Sequence, residues 1–242
     1  MKIVIFTSSW ALYEQRKEYL VRFNYSPKQI VFADSHVFSR EVIINQHLGE
    51  WLFFLDHDCV PTAESLAWLS HATQNEPDHS CVLAGLYLNP MNSNLIQRAH
   101  NFIANTWVQQ SFETSATNKT FLGGVFLIFC RHKVEESEKF WGAEDKLMAH
   151  RLSSQGLQIS FAPELTVGHS TSNSISHFIK RAWFHGVNDV KYMPTQLDRI
   201  NILYWIRKID FLKLGLVLLI LLHFCIQRAA KLVQRILQKN KQ

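Results

Sequence analysis

Residues 51–55 read Trp-Leu-Phe-Phe-Leu and run directly into Asp56-His57-Asp58. Five apolar residues in a row leave no face for water, so the run fits a central strand of a sheet covered by helices on both sides. Residues 2–6, Lys-Ile-Val-Ile-Phe, and residues 29–33, Gln-Ile-Val-Phe-Ala, have the same character, and the second closes on Asp34-Ser35. Between those two runs, Thr7-Ser8-Ser9 offers capping hydroxyls to a helix over residues 11–23, which Ser26-Pro27 ends. A further helix over residues 39–48 stops at Gly49. Strands alternating with helices in this way predict an α/β fold with a mainly parallel central sheet.

The alternation continues. After Pro61 a helix is expected over residues 62–73 and a strand over residues 81–87. The Asn/Ser/Thr-rich residues 89–119 read as a helix with a mobile loop. An apolar stretch with Gly123-Gly124 covers residues 121–130, and a helix carrying Arg151 opens at Glu144-Asp145. Gly156 precedes a strand over residues 158–162, which Pro163 closes before His169; a helical stretch follows at residues 176–186. The glycines at 85, 123 and 124 most simply allow close backbone packing, with acceptor contact as the lesser reading of Gly124.

The 242 residues suit one domain with an appendage, and the charge falls unevenly along them. Residues 207–242 hold 8 of the 25 basic side chains and 1 of the 20 acidic ones, so residues 1–206 are close to neutral. A near-neutral body gives no support to nucleic-acid binding, whereas a basic tail suits an anionic lipid surface. The expected organisation is a catalytic body over residues 1–206 and a membrane-associated segment over residues 207–242. Within that segment residues 214–226 are almost wholly apolar but short of the roughly 20 residues a bilayer crossing needs. Arg228, Lys231, Arg235 and Lys239 then recur opposite Ala229, Leu232, Val233, Ile236 and Leu237, the pattern of a basic amphipathic helix. Attachment to the inner leaflet from one side is expected, with a single crossing as the alternative and a buried core helix or dimer contact as the plain one. No signal-peptide pattern precedes the first strand, and the four cysteines are scattered, so a reducing cytosol is expected for the body.

The chemistry concentrates at strand ends. Two carboxylates one residue apart, Asp56 and Asp58, can share a divalent cation that holds a diphosphate. Asp34 ends a strand where a carboxylate can reach a nucleoside, Glu144 or Asp145 can take a proton from a hydroxyl, and His169 can complete a metal shell. Each has a plainer reading, as a turn former, a first-turn helix residue or an ordinary histidine.

Taken in order, these residues resemble family 2 glycosyltransferases of the GT-A fold. The resemblance lies in Gly49-Glu50-Trp51-Leu52-Phe53-Phe54-Leu55-Asp56-His57-Asp58, with Arg40 and Asn45 upstream and Pro61 after. It continues in Leu122-Gly123-Gly124, in Trp141-Gly142-Ala143-Glu144-Asp145, and in Arg151, Gly156, Pro163 and His169. It implies an inverting, metal-dependent transfer of a sugar from a nucleotide-sugar donor to a hydroxyl acceptor. Carboxylates at a diphosphate site accept Mn²⁺ or Mg²⁺ as cofactor, and the membrane-attached tail suggests an acceptor in cell-envelope polysaccharide or glycolipid synthesis. Carried over by position, Asp34, Arg40, Asp56 and Thr7 bind the donor. Asp56, Asp58 and His169 hold the metal, and Asp145 is the base beside Glu144. Trp141, Gly124 and Arg181 face the acceptor or the leaving diphosphate. The rivals are a haloacid dehalogenase-type phosphatase, whose Asp-x-Asp-x-Val strand residues 56–60 also fit, and a membrane-attached scaffold without turnover.

Overall fold

The computed structural model describes residues 1–113, 122–136, 144–171, 174–192, 208 and 214–239. The first four elements are β1 (Lys2–Phe6), α1 (Trp10–Arg22), β2 (Ile30–Ala33) and α2 (Arg40–Gln46). Next come β3 (Trp51–Asp56), β4 (Cys59–Pro61), α3 (Ala63–Ala72), β5 (Cys81–Leu88) and α4 (Leu95–Glu113). Then follow β6 (Phe126–Phe129), α5 (Glu144–Ser154), β7 (Gln158–His169), α6 (Ile175–Tyr192) and α7 (Leu214–Lys239). The strands form one sheet in the order β2-β1-β3-β6-β5-β7-β4. β2, β1, β3, β5 and β7 run one way, while β6 and β4 run against them. This is the expected α/β architecture of GT-A type, a mostly parallel sheet flanked by helices, with an apolar helix at the C-terminal end.

The all-apolar run of β3 has a direct physical outcome. Successive side chains point to opposite faces, so Phe53 and Leu55 pack with Ile3 and Ile5 under α1 and α3, through Leu20 and Leu69. Leu52 and Phe54 pack with Val4 under α2 and α5, through Ile43, Ile44 and Met148. Phe53 and Phe54 are both fully buried, each contributing roughly 2–3 kcal/mol of burial free energy. The helix stops also behave as expected: Ser9, Ser39 and Thr62 accept backbone hydrogen bonds as N-caps of α1, α2 and α3. Gly49 ends the α2 stretch with φ of 77°.

Two elements differ from the sequence expectation. The strand expected to close at Pro163 runs on to His169, because Pro163 sits in a bulge where a missing N–H breaks no ladder. Phe161 pairs with Ala84 and Thr166 with Leu86, so residues 162–165 stand opposite Gly85 alone. A Cβ on Gly85 would collide with the Leu165 carbonyl oxygen, which fixes glycine there. The second difference is β4, three residues too short to be seen in sequence. It is the edge strand, where Pro61 is tolerated, and it pairs Cys59 with His169. That single ladder brings the turn after β3 beside the end of β7.

A third apolar cluster lies away from the sheet. Ala99, Ile103 and Trp107 of α4, Phe178 of α6, and Leu216 and Ile220 of α7 pack together, so the C-terminal helix is seated on the body.

Candidate active site

Asp56 is the last residue of β3, and His57-Asp58 form the turn into β4. α1 steadies this turn: Arg16 Nε donates to the His57 carbonyl at 3.3 Å. Arg40, the first residue of α2, is almost wholly buried with its guanidinium 4.7 Å from the Phe6 ring centroid. Its Nη2 donates to Asp56 Oδ1 at 2.9 Å and its Nη1 lies 3.5 Å from Asp145 Oδ1. One arginine therefore joins the end of β3 to the start of α5, between two carboxylates that would otherwise repel.

On the other side of the turn, His169 Nε2 lies 3.1 Å from Asp58 Oδ2, and its Nδ1 lies 2.6 Å from Asn101 Oδ1. Asn101 Nδ2 donates to the carbonyls of His169 (3.2 Å) and Leu88 (3.4 Å) and to Asn89 Oδ1 (3.0 Å). With the amide so engaged, Oδ1 must be the atom facing Nδ1, so Nδ1 carries a proton and donates it. Nε2 is then the nitrogen turned toward Asp58.

Gly124 closes the site from below. Its N–H donates to the Tyr87 hydroxyl at 2.7 Å, and a Cβ at this position would overlap Asp56 Oδ2. The Tyr87 ring also lies 4.4 Å from that of His169.

The electrostatics of the two aspartates diverge. Burial raises the Asp56 pKa; Arg40 opposes this, and the charges of Asp58 and Asp145 add to it. Burial also acts upward on Asp58, but the His169 hydrogen bond and the charges of His169, His57 and Arg181 prevail and hold it at about 2. Of the two, Asp56 is therefore the one that protonates first on acidification.

Among the described residues, the side chains close enough together to share a cation are Asp58, Cys59 and His169. The carboxylate and imidazole of this set suit a hard or borderline divalent ion. The 3.1 Å between Asp58 Oδ2 and His169 Nε2 is close to the roughly 3 Å edge of an octahedron with bonds of about 2.1 Å. Cys59 fits less well, since burial first, with Asp58 and Asp56 after it, raises its thiol well above the usual range. Asp56 turns instead to Arg40.

The other residues expected from sequence are dispersed around this centre. Asp34 Oδ1 accepts from His36 N at 2.8 Å at the end of β2. Thr7 is buried at the end of β1, its amide donating to the Ala33 carbonyl (3.0 Å) and its carbonyl accepting from Ser35 N (3.3 Å). Arg181 is exposed on α6, with Nη1 3.5 Å from Thr171 Oγ1. Glu144 opens α5, but its side chain, all of Trp141, and residues 114–119 of the expected loop lie outside the described residues. Sequence reasoning missed Tyr87, Asn101 and Cys59. Only tertiary pairing reveals them, although Tyr87 does stand near the end of an expected strand.

Comparison with known proteins gives one family. Residues 10–183 match the family model described as "Glycosyltransferase like family 2". No curated protein matches. Among solved structures, "Crystal Structure of a Mycobacterial Protein" is similar over 81% of this chain and 76% of that one, at 11% identity and a TM-score of 0.43.

Proposed function

The chain belongs to the glycosyltransferase like family 2, and from that membership we propose that it moves a sugar, with inversion, from a nucleotide-sugar donor to an acceptor hydroxyl. The observation that carries the reading is the bridge of Arg40 between Asp56 and Asp145, with the Asp58–His169 pair beside it. A candidate base, a buried arginine and a metal-competent pair thus meet at the carboxyl end of β3, the kind of place where α/β folds gather ligands.

In this reading Asp58 and His169, with Asp56 next to them, hold a divalent cation, Mn²⁺ or Mg²⁺. When bound, the cation neutralises charge on the departing diphosphate. Asp34 and the end of β1 at Thr7 border the nucleoside. Arg40 keeps Asp145 beside the reacting centre, and Asp145 accepts the proton of the acceptor hydroxyl. As that proton leaves, the acceptor oxygen bonds to the anomeric carbon and the bond to the diphosphate oxygen breaks. Attack from the face opposite the leaving group inverts the carbon. Glu144, Trp141, Gly124 and Arg181 remain the candidates for contacts with acceptor and leaving group. We place the protein on the cytoplasmic face of a membrane, acting on an envelope polysaccharide or glycolipid acceptor; α7, long and apolar enough by length and composition to cross a membrane, supports the membrane contact.

The test is a thermal-shift series of the full chain with nucleotide sugars and nucleoside diphosphates, with and without Mn²⁺. A metal-dependent rise in melting temperature with one nucleotide series, lost in Asp58→Ala, is expected. Equal stabilisation of Asp58→Ala, or none by any donor, would refute the reading.

A further inference from the structure

Helix α7 has two opposed faces. At 100° per residue, Leu216, Ile220, His223, Gln227, Ala230 and Lys231 form one stripe, and all are buried. This stripe lies on α6 and α4: a Cβ on Gly186 of α6 would overlap the Gln227 carbonyl oxygen, and Leu216 and Ile220 pack with Phe178 and Ile103. Its polar members end on Asp189 of α6. Gln227 Nε2 donates to Asp189 Oδ2 at 2.8 Å, Lys231 Nζ lies 3.0 Å from the same oxygen, and Lys146 Nζ of α5 lies 2.8 Å from Oδ1.

The opposite stripe is apolar and open. Leu218, Leu221, Leu232, Val233 and Ile236 are exposed, Leu232 at 62%. Arg228, Arg235 and Lys239 flank it along one side, and the helix carries no acidic residue. α6, packed alongside, exposes Ile179 and Trp183 as well. Apolar surface of this extent, bordered by cations only, fits a partner with an oily interior and an anionic rim.

We propose that α7 lies in the plane of an anionic phospholipid leaflet, its Leu218–Ile236 stripe among the acyl chains and its Asp189-bound stripe on the protein body, and does not cross the bilayer. A crossing would carry His223, Gln227 and Lys231 into hydrocarbon without partners and strip buried Asp189 of Gln227 and Lys231, leaving it the Lys146 contact alone of these three. The uncharged part of α7, residues 214–227, is also only about 21 Å long at 1.5 Å per residue, against a hydrocarbon core of about 30 Å. The inference sharpens the membrane placement proposed above and stands apart from sugar transfer. A leaflet-bound body would meet acceptors anchored in the same leaflet.

The experiment is co-flotation of the purified full chain with preformed vesicles of phosphatidylcholine alone, or mixed with phosphatidylglycerol. Binding to the mixed vesicles, weaker on the neutral ones, is expected. It should fall at least tenfold in Arg228→Gln/Arg235→Gln/Lys239→Gln, as about 1 kcal/mol per basic residue near the surface implies. Leu232→Glu/Ile236→Glu should abolish it with an unchanged melting temperature, because both side chains are exposed in the free protein. Alkylation of Cys225, exposed on the same face, should be blocked in the bound state. No binding to either vesicle, or a dimer that Leu232→Glu dissociates while vesicles have no effect, would overturn the proposal. So would a C-terminal Gln242→Cys that reacts only from the far side of the bilayer. A donor-induced thermal shift that survives any of these results leaves the transferase reading intact.

Discussion

Asn101 shows how much of the site rests on one residue that takes no part in the chemistry. Its amide faces His169 Nδ1 with oxygen and three acceptors with nitrogen, which turns Nε2 toward Asp58. Orienting partners of this kind are typically worth 10–100-fold in metal affinity. Asn101→Leu, with the same branching and number of side-chain heavy atoms at a buried position, should weaken Mn²⁺ binding by about that factor, read by titration with electron paramagnetic resonance. An unchanged affinity would mean that His169 is not held for a metal. Legibility at this scale was uneven. Asp56 and Asp58 were legible as candidates from an Asp-x-Asp at a strand end, and Asp145 and His169 from a carboxylate at a helix start and an imidazole after a strand; Arg40 came from the resemblance alone. Asn101 and Tyr87 are ordinary residues on a helix and a strand, whose role arises only when β7 brings His169 beside them.

At the scale of elements, strands and helices with strong local signals were readable: apolar runs for β1, β2 and β3, and hydroxyl caps for α1, α2 and α3. β4 escaped because three residues hold no period, and the end of β7 because a bulge lets a strand pass through proline. The Lys146–Asp189–Lys231 cluster was invisible for a related reason, since it joins three helices far apart in sequence. Burial acts to raise the Asp189 pKa, but the two lysines prevail and lower it. Removing one partner of a buried ion cluster typically costs 3–5 kcal/mol, because the others stay buried and uncompensated. Asp189→Leu should therefore lower the unfolding free energy by roughly that amount in urea titration at neutral pH. The sign with pH follows from the depressed folded-state pKa. The contribution is complete above the unfolded carboxylate value near 4 and fades as pH falls through the lower folded value. The gap between wild type and Asp189→Asn should accordingly narrow below about pH 4. A constant gap would show that the charge on Asp189 contributes nothing.

For the whole molecule, Asp34 and Asp56 lie at the carboxyl ends of parallel strands, with Asp58 in the turn after β3 and Asp145 joined to Asp56 through Arg40, while α7 sits apart on α4 and α6. The charge asymmetry of the sequence is the clue to that second surface, but it does not say how the helix is seated. The inner stripe of α7 contains His223, Gln227 and Lys231, which in sequence read as interruptions of an apolar segment and in the fold are its attachment. In the proposed mechanism donor binding depends on the Asp58–His169 pair, and turnover depends on Asp145. The most direct measurement follows release of nucleoside diphosphate from the stabilising donor by wild type and by Asp145→Asn, alongside the donor-induced thermal shift of each. A retained thermal shift is expected for Asp145→Asn, with release slowed by roughly 10²–10⁴-fold, the usual contribution of a positioned base. Undiminished release by Asp145→Asn, or a thermal shift lost together with turnover, would contradict the mechanism.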